Sequence, residues 1–174
     1  VEALPANYGL SPSALHDLTA LGIIADLAEL RLDTRYLCQS GLALMRQHPR
    51  PSLLALLEAA EVNPNTLSEE QVSFALAPRL NAVGRLSDAN PVIRFLLSER
   101  QEEIAVMVNQ IEGLNAKRKI LTDQVFKGAL SLIEQNPSTL DHAVLILHHP
   151  EWPAGVVGIV ASRLVERYHR PTVL

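Results

Sequence analysis

The stretch "QEEIAVMVNQIEGLNAKRKILTDQVFKGALSLIEQN", residues 101–136, decides how this chain is organised. Ile104, Met107, Ile111, Leu114, Leu121, Val125, Ala129 and Leu132 recur at three- and four-residue spacing, the pattern of a helix with one buried face. A helix of about 33 residues, rising 1.5 Å per residue, would be about 50 Å long, so it reads as a spacer between two bodies. The stripe skips one turn, and Arg118 stands there. A charge on the apolar stripe of a long helix points toward the body the stripe packs on. The alternative is an arginine whose stem lies along the stripe while its head reaches water. Gly113 and Gly128 each weaken the helix by roughly 1 kcal/mol relative to Ala and are points where it can bend.

Upstream, the chain reads as short helices packed in a bundle. "SPSALHDLTALGIIADLAEL" (11–30) opens with a Ser11 cap and Pro12 near the first helical position, predicting a helix from about Pro12 to Ile24. "LDTRYLCQSGLALMRQHPRP" (32–51) has Asp33 as cap and Tyr36, Leu37, Leu42 and Leu44 as its apolar face, and it stops at Pro49 and Pro51. "PSLLALLEAAEV" (51–62) restarts a short helix, Ser68 caps another with Glu69 and Glu70 in its first turn, and "DANPVIRFLLSER" (88–100) adds one more.

Downstream the period changes. "HAVLILHH" (142–149) is a continuous apolar run that reads as a buried strand, "AGVVGIVASRLVERYH" (154–169) as a helix and "RPTVL" (170–174) as a second strand. Strand, helix, strand in that order predicts a right-handed parallel unit. Two strands leave the sheet edges open, as at the beginning of a larger domain. The expected fold is mainly α with a small α/β part: a helical bundle over 1–100, a long connector helix over 101–136, and the start of a parallel β-α-β unit over 137–174.

Composition narrows the functions. With 174 residues, 48% hydrophobic and 20% charged, the chain is an ordinary globular one of one or two units. A net charge of -4 lacks the basic footprint of non-specific nucleic-acid binding, so any phosphate site must be a local arginine cluster. The single Cys38 excludes an internal disulfide framework and a cysteine-based zinc site, and fits a reducing compartment. No apolar run approaches the roughly 20 residues of a membrane span, and no charged-then-apolar leader opens the sequence. The expectation is a soluble, cytoplasmic protein with no membrane partner.

Three places could carry chemistry. In "APRLNAVGRL" (77–86) Pro78 and Gly84 read as a turn, with Asn81 bonding its own backbone and Arg79 and Arg85 brought near one another. Guanidinium forks bind phosphate oxygens bidentately. A surface loop whose arginines pair with Glu69, Glu70 or Asp88 fits the same residues equally well. Asp26, directly after an apolar helix, is either a helix cap, with Glu29 completing a capping-box pattern, or a metal ligand; spacing alone favours the cap. In "EWPAGVVGIVASRL" (151–164) small residues at 155, 158, 161 and 162 let a backbone or a ligand approach the helix start, with close helix-to-strand packing the favoured use. His148 and His149 read as the polar end of a strand.

Taken in order, "ALGIIADLAEL", "LAPRLNAVGRLSDA", "LNAKRK" and "HPEWPAGVVGIVASRLVERYHRP" resemble the RecJ single-stranded-DNA-specific exonucleases of the DHH phosphoesterase superfamily, from about Leu15 to the last residue. The resemblance implies 5′ to 3′ removal of nucleotides from single-stranded DNA with Mn2+ or Mg2+, in recombination and repair, beside a helicase or a single-strand-binding protein. It places Asp26 on the family's late catalytic aspartate, a metal ligand, and so displaces the cap reading. Arg79, Asn81 and Arg85 fall in the motif that faces the DNA backbone. Ser162 and Arg163 match the segment near the 5′-terminal phosphate. Arg118 would face the cleft between the catalytic domain (here 1–100) and the DHHA1 domain (137–174), which the helix 101–136 joins. Three departures stand out: the family's Asp-His-His ligands lie upstream of Val1, Pro153 stands where the family often has His, and the glycine-rich later part of DHHA1 is missing. One aspartate cannot hold a metal pair, so the chain is expected to be a central fragment that binds no metal tightly and does not cleave DNA by itself. Another DHH phosphoesterase acting on short oligonucleotides or cyclic dinucleotides, or a non-catalytic single-strand-binding relative, are the alternatives.

Overall fold

Two crossing helices build the first core. In the computed structural model, which describes residues 12–174, a 3-10 turn, Pro12–Leu15, runs into α1 (His16–Ala25). The expected Ser11 cap lies outside the described residues. α1 packs on α2 (Leu32–Gln47), burying Ala20, Leu21 and Ile24 against Cys38, Leu42 and Met45. Gly41 permits the contact: a Cβ there would lie 2.1 Å from the carbonyl oxygen of His16 and 2.4 Å from Cβ of Ala20. The buried face of α2 is therefore 38, 41, 42 and 45, one helical stripe centred on a glycine. Tyr36, expected on that face, is out of phase with it and 66% exposed. Asp33 stands in the first turn of α2 and is not its cap; the Thr34 hydroxyl accepts from the Arg31 N–H at 3.0 Å there.

The corner after α2 is fixed by charge. Asp17 is 1% exposed and pairs with Arg50, whose Nε and Nη2 both donate to its carboxylate. Nη2 also donates to the Ala14 carbonyl at 2.6 Å. Arg50 sits between Pro49 and Pro51, so this bond network sets the entry to α3 (Pro51–Ala59), which buries Leu53, Leu56 and Leu57.

Ser68 caps the next helix as its spacing predicts: its Oγ accepts from Gln71 N–H at 3.2 Å, and Gln71 Oε1 accepts from Ser68 N–H at 2.9 Å. The helix does not stop where expected. α4 (Glu69–Gln71) widens into a π turn, Val72–Leu76, and continues as α5 (Ala77–Leu86). The stretch "APRLNAVGRL" is thus helix and not a turn. Proline inside a helix lacks an N–H, and its ring meets the carbonyl four residues back. For Pro78 that carbonyl belongs to Phe74, inside the π turn, where Ala77 N–H bonds Val72 five residues back and the wider register makes room.

α6 (Asn90–Leu97) leads into α7 (Gln101–Gln135), a continuous helix of 35 residues. Its buried positions are Ile104, Val108, Ile111, Asn115, Thr122, Val125, Ala129 and Ile133, so Val108 and Ile133 replace the expected Met107 and Leu132 at the centre of the stripe. The chain divides into two compact units inside this helix: α7 through Glu112 belongs to the first, and α7 from Gly113 to the second, together with Arg85–Ser87.

The second unit packs Val125, Ala129 and Ile133 of α7 against Leu147 and against Val156, Val160 and Leu164 of α8 (Ala154–Tyr168). β1 (Leu145–Ile146) and β2 (Thr172–Val173) pair in parallel, Leu145 opposite Thr172. This is the expected parallel β-α-β arrangement, in a chain that is otherwise mainly helical. The run 142–149 is not buried throughout: Leu145 and Leu147 point inward while Ile146 is 70% exposed, because among the described residues only one face of the sheet is covered. Gly128 of α7 lies under Trp152, whose Nε1 would be 3.5 Å from a Cβ there. No helix of the described residues is long and apolar enough to cross a membrane.

Gly41→Ala should lower the unfolding free energy by about 2 kcal/mol, overpacking outweighing the helix propensity gained. Gly22→Ala on α1, with nothing within 4 Å, should be neutral or stabilising; urea unfolding of the two variants checks the pair. Asp17→Ala should cost about 3 kcal/mol by leaving Arg50 without its carboxylate, and Asp17→Ala with Arg50→Ala should cost less than the sum of the singles in a double-mutant cycle.

Candidate phosphate-binding site

The buried stripe of α7 turns polar for two turns. Asn115 and Thr122 are buried, and Arg118 stands between them on the same face. Arg118 donates to Asn115 Oδ1 from Nη2 at 2.9 Å and from Nε at 3.3 Å, and the Thr122 hydroxyl donates to the Arg118 carbonyl at 2.8 Å. Burial pushes the Arg118 guanidinium below its usual pKa, and the positive charges of Arg85 and Arg163 push it the same way.

Both of those arginines belong to the second unit. Arg85 Nη1 donates to the Gly155 carbonyl at 3.2 Å. Its own carbonyl oxygen would lie 2.0 Å from a Cβ at position 155, so only glycine admits it. Of the small residues of α8, Gly155 is therefore used by the Arg85 backbone, not by the strand expected there. Gly158, by contrast, has nothing within 4 Å and is exposed. Arg163 is exposed on α8, pairs with Asp123 at 2.9 Å and lies 5.9 Å over the Phe126 ring. Ser162 stands beside it, its hydroxyl donating to the Gly158 carbonyl at 3.1 Å. Three cations sharing one region repel one another, and an anion among them would relieve that.

The remaining candidates are placed differently. Arg79 donates to Glu112 at 2.5 Å and to the Ala75 carbonyl at 2.8 Å, and its side chain is largely buried. It is held inside the first unit by a carboxylate other than the three expected. Six residues apart on one helix, Arg79 and Arg85 point about a third of a turn away from each other. No turn gathers them. Asn81 is exposed on α5. Asp26 closes α1 at its C-terminus, its N–H bonding the Gly22 carbonyl at 3.0 Å, and Glu29 pairs with Arg31, so no capping box forms. The next residue, Leu27, takes a left-handed φ of 53°, which turns the chain away immediately after the carboxylate. Asp26 is exposed and needs no partner. Among the described residues no three His, Cys, Asp or Glu side chains converge where a metal ion could sit.

No family model matches the sequence. Individual proteins do. The single-stranded-DNA-specific exonuclease RecJ of Bacillus subtilis is 37% identical over 169 residues, covering 97% of this chain and 21% of its own length. RecJ of Escherichia coli is 40% identical over 163 residues, covering 91% of this chain and 28% of its own. The crystal structure of Thermus thermophilus RecJ in complex with Mn2+ superposes with a TM-score of 0.82 at 34% identity, over 95% of this chain and 24% of that one. Over nearly its whole length the chain is similar to one segment of these RecJ exonucleases. It spans about a quarter of the length of the curated relatives it matches.

Pro153 directly precedes α8 in extended conformation. His149 stacks on Trp152 at 5.8 Å, and its Nδ1 accepts from Glu151 N–H at 3.3 Å, so neither it nor the exposed His148 joins the arginine cluster. Asn115 and Thr122 escaped the sequence reading. Their signal was present: positions 115, 118 and 122 share one helix face, and three polar residues on a core stripe require a polar neighbour.

Gly155→Ala should destabilise the second unit by roughly 1 to 3 kcal/mol through the clash with the Arg85 carbonyl, whereas Gly158→Ala should leave stability unchanged. Thermal unfolding of both variants checks this.

Proposed function

We propose that this chain acts as part of a metal-dependent exonuclease that removes nucleotides 5′ to 3′ from single-stranded DNA, in recombination and repair in the cytoplasm. The observation that carries the reading is Arg118, held by the neutral Asn115 on the buried face of α7 and pushed down in pKa by burial and then by the charges of Arg85 and Arg163, in a chain whose net charge is -4. A local cationic site in an acidic protein suits a polyanion better than it suits a neutral substrate. DNA phosphates carry no base information, so a site of arginines and a hydroxyl binds strands of any sequence. Ser162 and the open Gly158 leave α8 room for a backbone to approach.

In this reading residues 1–100 are the helical tail of a DHH catalytic domain, 101–136 its connector helix and 137–174 the start of a DHHA1 domain. Asp26 supplies one carboxylate ligand to Mn2+ or Mg2+, with the remaining ligands outside this chain. Its exposure at the end of α1 leaves it available for that. A helicase or single-strand-binding protein would deliver the strand. Arg79 stays structural, and Asn81 is at most a peripheral contact.

The test is a labelled single strand with Mn2+. The 174-residue chain should bind it in a salt-dependent manner and leave it intact. Arg85→Ala with Arg118→Ala should weaken binding alike for all sequences and lower the salt slope by about 0.7 for each phosphate that is no longer neutralised. An unchanged slope would return both arginines to a structural role, and 5′ to 3′ degradation by the chain alone would refute the claim that it is inactive.

A further inference from the structure

Asn115 occupies a core position of α7 that Ile111 and Val125 fill elsewhere with apolar side chains, and it is 3% exposed. An amide there is unfavourable unless it is bonded. Its Oδ1 takes two N–H groups of Arg118, one turn further on, and occupies one edge of the guanidinium fork. Nη1 has no partner among the described residues.

The choice of an amide matters more than its burial. Every other arginine gripped by a side chain among the described residues is gripped by a carboxylate: Arg31 by Glu29, Arg50 by Asp17, Arg79 by Glu112, Arg100 by Glu103 and Arg163 by Asp123. Each of those charges is neutralised where it stands. Arg118 is held on two nitrogens by a neutral group, so its orientation is set while its charge remains. A carboxylate at 115 would hold the same fork, and would also neutralise the Arg118 charge. A long arginine left free would have to be ordered by each incoming phosphate, which lowers affinity.

We propose that Asn115 is a positioning residue: it orients Arg118 toward a phosphate of the bound strand without neutralising it. This rests on the reading of Arg118 as a phosphate contact, and a double-mutant cycle on the 174-residue chain separates the two. The probe is a labelled oligothymidylate, with affinity measured against salt for the wild type, Arg118→Ala, Asn115→Ala, the double variant and Asn115→Asp. Arg118→Ala should weaken binding about tenfold, as loss of a charge-assisted bond predicts. Asn115→Ala should weaken it severalfold, and add nothing once Arg118 is Ala. Asn115→Asp keeps shape and acceptor but pairs with Arg118, and should cost at least as much as Arg118→Ala, with the salt slope reduced to match. Wild-type affinity in Arg118→Ala, or a wild-type chain that does not bind, overturns the phosphate reading and the inference with it. Weakened binding in Arg118→Ala with wild-type affinity in Asn115→Asp, or additive effects of the two alanines, overturns the inference alone. Should Asn115→Ala not fold, as circular dichroism would show, the aspartate variant decides.

Discussion

Both units depend on one buried stripe along α7. Ile104, Val108 and Ile111 serve the first and Val125, Ala129 and Ile133 the second. A helix hydrophobic along one stripe is stable only while both ends of that stripe are covered, because tertiary burial, more than helix propensity, holds a long helix together. Within the second unit the stripe carries a polar interruption, occupied by Asn115, Arg118 and Thr122. The site is placed by the core's own periodicity.

The first unit handles its least exposed charges by pairing. Asp17 with Arg50 and Arg79 with Glu112 are internal ion pairs that shape the first unit, since removing either partner would strand the other in a poorly solvated place. The Arg85, Arg118 and Arg163 group carries one carboxylate, Asp123, among three guanidiniums. An overall acidic chain can therefore hold a cationic spot, because electrostatic attraction at contact range is set by local and not by net charge.

Backbone approach supplies the rest of the architecture. Gly41 lets α1 meet α2, Gly155 admits the Arg85 carbonyl, and Gly128 gives Trp152 a flat surface on α7. The π turn at Val72–Leu76 performs a related service for Pro78, converting what would be a break into a continuous helix. Each is a place where a side chain or a hydrogen-bond register was removed so that two segments could come closer.

Periodicity by itself determined that the protein is mainly helical, that a helix of about this length runs through its middle, that Ser68 caps a helix and that the end is a parallel β-α-β arrangement, since those follow from spacing and local capping chemistry. It also put Arg118 on the buried stripe, because helical phase is a local property. Only the tertiary structure decided what the arginines touch. The partner of Arg79 is Glu112, thirty-three residues on, and no turn chemistry around Pro78 announces it. The Gly155 contact with Arg85 joins positions seventy residues apart, and the amide at 115 acquires meaning only once Arg85 and Arg163 stand near Arg118. Local free energies set the elements; which charges meet depends on packing between distant segments, and that is not written in any one stretch of the chain.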